Sequence, residues 1–257
     1  MKKLLVIIFL ISVCSMVPLA QSTNDLLNEA KKVIYQADIH FDKGLFLKGR
    51  GLFERVLSTE PGNYIAKYYL AYTDYKLAII AMDAQNNNEF DRYIKSATEN
   101  CEDLLNENED DVETKALLSG IYGIQIAMNS ALGQSLGPKS SMLSAEALGD
   151  APDNPRVLLF AGINKLHTPE FFGGSKTKAL EYFKKAVNSF ENKNSANVSG
   201  IDWGYIETLA WLGKTYSAIK DYNSAVETFN KALSIEPEYG WIKNRLLPEA
   251  EKKLKSH

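Results

Sequence analysis

Apolar residues recur at intervals of three and four along most of this chain, and short polar stretches break the pattern at regular distances. That spacing gathers apolar side chains on one face of a helix. The clearest stretch runs from Leu209 to Pro237, LAWLGKTYSAIKDYNSAVETFNKALSIEP. Leu209, Leu212 and Tyr216 share one face of a first predicted helix at i, i+3 and i+7. Ala225, Phe229 and Ala232 form the matching face of a second. Asp221 and Tyr222 mark the turn between them, and Pro237 closes the unit, because a helix does not continue through proline. Gly213 and Ala225 are small enough to let the two helices approach closely.

Weaker copies precede this one. Val33, Ala37, Phe53, Val56 and Pro61 keep its register in residues 30–63. Ala37 and Ala71 stand one period of about 34 residues apart. A second unit, 64–110, opens on YYLAYTDYKLA; its second helix is expected at 89–106, after an enlarged turn at AQNNNEFD. A third, 111–152, places Leu118, Ser119 and Tyr122 in the Leu, small and Tyr positions, with a second helix expected at 139–149 after GQSLGPKSS. A fourth, 153–200, has Phe160 and Ala161 in the Leu and small positions, and Ala179, Phe183 and Ala186 in its second helix. There 18 residues separate the small position from Ala179, against 12 from Gly213 to Ala225 in the fifth unit, 206–239. The stretch HTPEFFGGSKTK therefore reads as carrying a six-residue insertion. Gly173 and Gly174 turn it, Ser175 caps the helix that follows, and Phe171 and Phe172 are expected to pack the loop onto the body. Residues 240–256 read as a closing helix with its polar side to water.

With Leu209 in the Trp position, the fifth unit follows W-x2-L-G-x2-Y … A-x3-F … P and resembles the tetratricopeptide repeat. The resemblance implies an all-α, right-handed superhelical solenoid of about five helix hairpins plus a C-terminal capping helix, spanning residues 23–257. Such hairpins do not bury a core alone, so the units stack into one body. It also implies that first helices line a concave groove. Candidate partner-binding residues on that face are Tyr68, Tyr72, Tyr75, Lys165, Trp211 and Lys214, with Lys76, Glu207, Ala210 and Ser217 beside them. Aromatic rings supply rigid contact area and lysines hold carboxylates. The alternative for the tyrosines is to fill space between repeats. Leu212, Gly213, Tyr216, Ala225, Phe229, Ala232 and Pro237 carry the repeat itself.

The start of the chain breaks the helical pattern. Lys2 and Lys3 precede an unbroken apolar run, LLVIIFLISV at 4–13, and then a small and polar stretch. That is the form of a secretory signal peptide, placed at residues 1–22, with cleavage after Ala20 or Ser22. Its apolar run is shorter than a bilayer span. ISVC also resembles a lipobox that would anchor a lipoprotein through Cys14, except that Val13 stands where a small residue is expected. The reading is an exported, most simply periplasmic, protein. Cleavage takes the formal net charge from −3 to −5, and leaves Cys101 without an intramolecular disulfide partner if Cys14 is also removed.

Candidate chemistry is sparse. No segment is strongly basic, so a nucleic-acid partner is not expected. His40, His167 and His257 form no zinc spacing. GQSLGPKSS lacks the glycine spacing and preceding strand of a phosphate loop, and reads as a turn with Pro138 near a helix start. The acidic run NENEDDVE lacks the glycine of a calcium loop and is expected to seal a helix N-terminus. No catalytic residue, metal or cofactor is expected. The sequence points to a non-enzymatic scaffold that binds a protein or peptide in the cell envelope. The alternative is a small-solute or lipid-binding accessory of an envelope transport system, which a closed apolar pore inside the superhelix would favour over an open groove.

Overall fold

The computed structural model describes residues 22–192 and 200–256. All of the predicted signal segment but Ser22, including Cys14, lies outside them. The described residues contain eleven α-helices and no strand. They pack as consecutive pairs: α1 (Thr23–His40) with α2 (Lys43–Thr59), α3 (Tyr64–Asp83) with α4 (Asn87–Glu107), α5 (Val112–Met128) with α6 (Gly133–Asp150), α7 (Pro155–His167) with α8 (Lys176–Glu191), and α9 (Tyr205–Ala218) with α10 (Tyr222–Ile235). A π-helical turn at Ile242–Leu246 leads into α11 (Leu247–Lys255), which buries Ala250 and exposes Lys252, Lys253 and Lys255. The molecule is a helical-hairpin solenoid with a closing helix.

Local chemistry starts these helices. Ser22, Asp42, Asn63, Asn86, Asp111, Asn154, Ser175 and Asp221 each accept a hydrogen bond from a backbone N–H in the first turn of the following helix. Each such cap contributes about 1 kcal/mol. The acidic run does seal α5, through Asp111. Pro237 follows the end of α10 by two residues. Two boundaries differ from expectation. The turn before α4 spans only residues 84–86, because Asn86 caps a helix that starts at Asn87. Helix α6 starts at Gly133, six residues before the expected position, and carries Pro138 inside it. Pro138, the sixth residue of α6, forgoes the N–H bond that the Gln134 carbonyl would accept and crowds that carbonyl, yet the helix continues past it to Asp150.

The core is built on glycine-to-phenylalanine contacts. Phe229 lies against Gly213, and a side chain at 213 would overlap its ring. In the fourth pair, Phe183 lies against Gly162, where an added Cβ would sit 2.6 Å from the ring. Gly162, not Ala161, therefore occupies the small position; counted from it, 17 residues lead to Ala179, and the insertion is five residues long. Leu212, Ala225, Phe229 and Ala232 are all buried.

The array curls until its ends meet. Tyr35 on α1 donates to Glu236 Oε2 at 2.8 Å, and Lys31 pairs with Asp202 at 2.8 Å. Gly240 abuts the carbonyls of Ile39 and His40.

Gly213→Ala and Gly162→Ala are each expected to destabilise the fold by about 1–3 kcal/mol, through overpacking against a ring. Gly51→Ala, in the interior of α2 with open space around it, is expected to stabilise by up to about 1 kcal/mol. Urea unfolding of the three variants checks the contrast, which fails if all three shift the same way.

Candidate functional site

Half of the concave face is filled by the chain itself. Residues 200–204 leave the fourth pair and lie across the first halves of α3 and α7. Ile201 is fully buried. Trp203 stacks on Tyr72 with ring centroids 4.1 Å apart and meets Phe160 edge-on at 5.9 Å. Tyr69 donates its hydroxyl proton to the Asp202 carboxylate and accepts from the Asp202 N–H at 3.1 Å. Arg156, buried on α7, donates to the Trp203 carbonyl at 3.3 Å and pairs with Glu113 on α5 at 2.7 and 2.8 Å. Tyr68 is 0% exposed and Tyr72 is as deeply buried. Neither faces a partner: the predicted groove tyrosines of these two positions hold the chain's own segment and the neighbouring repeat. Tyrosine packs its ring in either role, so the sequence pattern is the same for both.

The other half is a cavity of about 1750 Å³. It is walled by the C-terminal halves of α3, α5, α7 and α9, by α6, and by the start of the closing segment. Of the predicted site residues, Tyr75, Lys165, Trp211 and Lys214 line it; Tyr68 and Tyr72 do not. Towards Tyr72 the cavity ends at Asp38, Tyr75, Lys76 and Glu207, which makes it a cup. Its apolar wall includes Ile79, Ile124 and Ile126. Its aromatic wall centres on Trp211, which meets Trp241 at 5.2 Å, His167 edge-on at 5.4 Å and the Phe183 ring, nearly parallel, at 6.5 Å. Lys214 lies over Trp211, 4.2 Å from its ring centroid.

Three helices meet in the base of the cup at one ammonium group. Lys76 on α3 pairs with Asp38 on α1 at 3.1 Å and with Glu207 on α9 at 3.2 Å. Tyr72 donates to Asp38 at 2.9 Å. Burial opposes the charge on Lys76, but the two carboxylates more than offset it and hold its pKa well above the usual value. Two acids share one cation, so one of them is under-compensated. Burial, aided by Glu207 and opposed by Lys76, raises Asp38 to about 6. At the wall, burial and the charge of Lys214 lower His167, which favours a neutral imidazole at pH 7.

The glycine loop forms part of the rim. Ser175 N–H donates to the Lys165 carbonyl at 2.8 Å, and Lys165 Nζ donates to the Gly173 carbonyl at 3.0 Å. Gly173 has φ +87°, and a side chain at Gly174 would overlap the Thr168 carbonyl. The loop is tied down by its backbone, not by its phenylalanines. Phe171 and Phe172 are 90% and 74% exposed and touch each other, which corrects the expectation that they pack onto the body.

Sequence reasoning missed Trp241, Asp38 and the 200–204 segment. Trp241 lies in the closing segment and Asp38 near the end of α1, where no repeat position marks them; an aromatic just past the last repeat was the available signal for Trp241. Among the described residues no group of three or more His, Cys, Asp or Glu is placed to hold a metal ion. Cys101 is buried, which pushes its thiol pKa well up and away from nucleophilic use. The arrangement suits binding: an apolar cup, flat rings and a few cations.

Comparison with known proteins agrees with this architecture. The family model described as "Tetratricopeptide repeat" matches residues 206–239. A comparison with curated proteins finds no match. The chain superposes on a thermophilic tetratricopeptide-repeat protein from Thermus thermophilus with a TM-score of 0.62 and 18% identity, covering 91% of this chain and 100% of that one. It superposes on the HusA haemophore from Porphyromonas gingivalis with a TM-score of 0.64 and 23% identity, covering 77% of this chain and 94% of that one. The fold is a tetratricopeptide-like helical solenoid. One stretch, residues 206–239, thus matches the tetratricopeptide repeat, and the fold around it is similar to that of a tetratricopeptide-repeat protein.

Lys76→Met is expected to cost about 3–5 kcal/mol, because it leaves two buried carboxylates without their cation. Asp38→Asn, which keeps an acceptor for Tyr72, is expected to cost far less. Asp38 holds its proton more tightly in the folded state (about 6) than in the unfolded chain (about 3.9), so its contribution is largest below pH 4 and falls as pH rises towards 6. The stability of the native chain relative to Asp38→Asn should fall across that window in denaturant titrations; a flat or rising difference contradicts the assignment.

Proposed function

We propose that this chain is an exported, non-enzymatic binding protein whose cup takes one large, flat, mostly apolar ligand of porphyrin type. The observation that carries the reading is the cup itself. Its volume of about 1750 Å³ exceeds the roughly 300–1,000 Å³ typical of sites for drug-sized molecules. Its blocked side suits a compact ligand better than a peptide threaded along a groove. The rings of Trp211 and Trp241, inclined at 72° to each other, form an aromatic corner that supplies apolar contact area to a ligand. The structural likeness to a haemophore supports the choice of porphyrin, at the level of fold. Export rests on the signal-like residues 1–22. Among the described residues no helix is long and apolar enough to cross a membrane.

A protein partner in the cell envelope is the second reading, and one observation favours it. The rim presents Phe171 and Phe172 to solvent on a loop held by backbone hydrogen bonds. Large exposed aromatics on an ordered loop are a common form of contact surface. Crosslinking in the native envelope should capture a partner that the Phe171→Asp, Phe172→Asp double variant loses. Identical captures by both chains remove this reading.

The principal test is a titration with haemin and with protoporphyrin IX, followed by tryptophan emission. Saturable quenching with Kd in the micromolar range or below is expected. Trp241→Ala should weaken binding about tenfold or more, as for a central aromatic contact. Unchanged emission at tens of micromolar porphyrin, on the order of a 6 kcal/mol ceiling on affinity, contradicts the proposal.

A further inference from the structure

Most charges in the cup have a close polar or ring contact. Asp38 and Glu207 are held by Lys76. Lys165 is committed to the Gly173 carbonyl and so to the rim loop. Arg245 lies 3.6 Å from Glu249. Lys253 lies over the Tyr222 ring. Lys214, half-buried on α9, lies between two indole rings. Its ammonium sits 4.2 Å from the Trp211 centroid and 5.6 Å from the Trp241 centroid. Among the described residues no carboxylate lies within 4 Å of it, although Asp83 and Glu249 act on it from farther away. Burial and the neighbouring charge of Arg245 weaken its hold on its proton. Withdrawing an ammonium from water without giving it an anion is unfavourable. A ligand that brings a carboxylate to this point relieves that cost, while its apolar body rests in the corner formed by the two indoles, which are inclined at 72° to each other.

We infer that Lys214 is the anchor for an anionic edge group, a carboxylate, on the flat ligand held by Trp211 and Trp241. The inference rests on the reading of the cup as a ligand site, and it narrows the ligand to an amphipathic acid. Lys214 selects the ligand's charge, and the apolar wall accepts its body.

The test compares protoporphyrin IX with its dimethyl ester, which has the same ring system and no free carboxylate. Each is titrated into the native chain, Lys214→Met and Lys214→Arg, with folding checked by circular dichroism. The native chain is expected to prefer the free acid about tenfold or more, in the range of a charge-assisted hydrogen bond. Lys214→Met should abolish that preference while leaving the affinity for the ester unchanged, and Lys214→Arg should keep it. Equal affinities of the native chain for both compounds overturn the anchor and leave the cup standing. A Lys214→Met variant that loses both compounds alike also overturns it, since the residue then acts through structure. If neither compound binds the native chain, the cup reading fails and the anchor falls with it.

Discussion

Trp203 lies flat on Tyr72, 4.1 Å away, and the shape of the concave face depends on that contact. It places the chain's own residues 201–203 where a groove-binding partner would otherwise lie. The contact needs support, because a backbone segment brought into an apolar face carries polar groups with it. Arg156 answers the Trp203 carbonyl, and Glu113 answers Arg156. Tyr69 answers both the N–H and the carboxylate of Asp202. The Trp203 carbonyl and both Asp202 groups are thus met by side chains from α3 and α7, while the Trp203 indole N–H is buried without a hydrogen-bond partner among the described residues. The segment thereby fills the part of the concave face beside the cup.

The same constraint explains why charge is concentrated at the cup's base. Bringing α1, α3 and α9 together requires something at their junction, and the residues that meet there come from distant parts of the sequence. Lys76, between Asp38 and Glu207, supplies a directional link that apolar packing alone does not provide. Above that base the walls are apolar and aromatic, with Lys214 as the cation whose carboxylate partner is left to the ligand. Selectivity in such a cup comes from matching one charged edge while the remainder of the ligand only has to fit.

The helix pairs were legible in the sequence because each is written locally, in caps, in the i, i+3, i+7 faces and in the A-x3-F spacing. Asp221, Gly213 and Phe229 announce the fifth pair and are found in those roles. The fourth pair was misread by one residue, since Ala161 and Gly162 are both small and the difference appears only when Phe183 is seen against Gly162. Four of the six predicted groove residues, Tyr75, Lys165, Trp211 and Lys214, line the cup. Tyr68 and Tyr72 carry the same helical spacing but are covered by residues far away in the chain, and no local pattern records that. Phe171 and Phe172 show the reverse case. Apolar residues in a loop suggest packing, yet backbone bonds around Gly173 and Gly174 hold the loop and leave both rings in solvent.

The burial of Trp203 is the point on which the cup stands, and it is directly measurable. A chain with Trp211 and Trp241 both changed to Phe retains Trp203 as its tryptophan, which is 7% exposed in the folded structure. Acrylamide quenching of that chain, compared before and after unfolding in guanidinium, reports whether the 200–204 segment is seated. The expected result is weak quenching in the folded state that rises several-fold on unfolding. Quenching in the folded state as strong as in the unfolded chain would show that the segment does not occupy the concave face, and the cup would be an open groove.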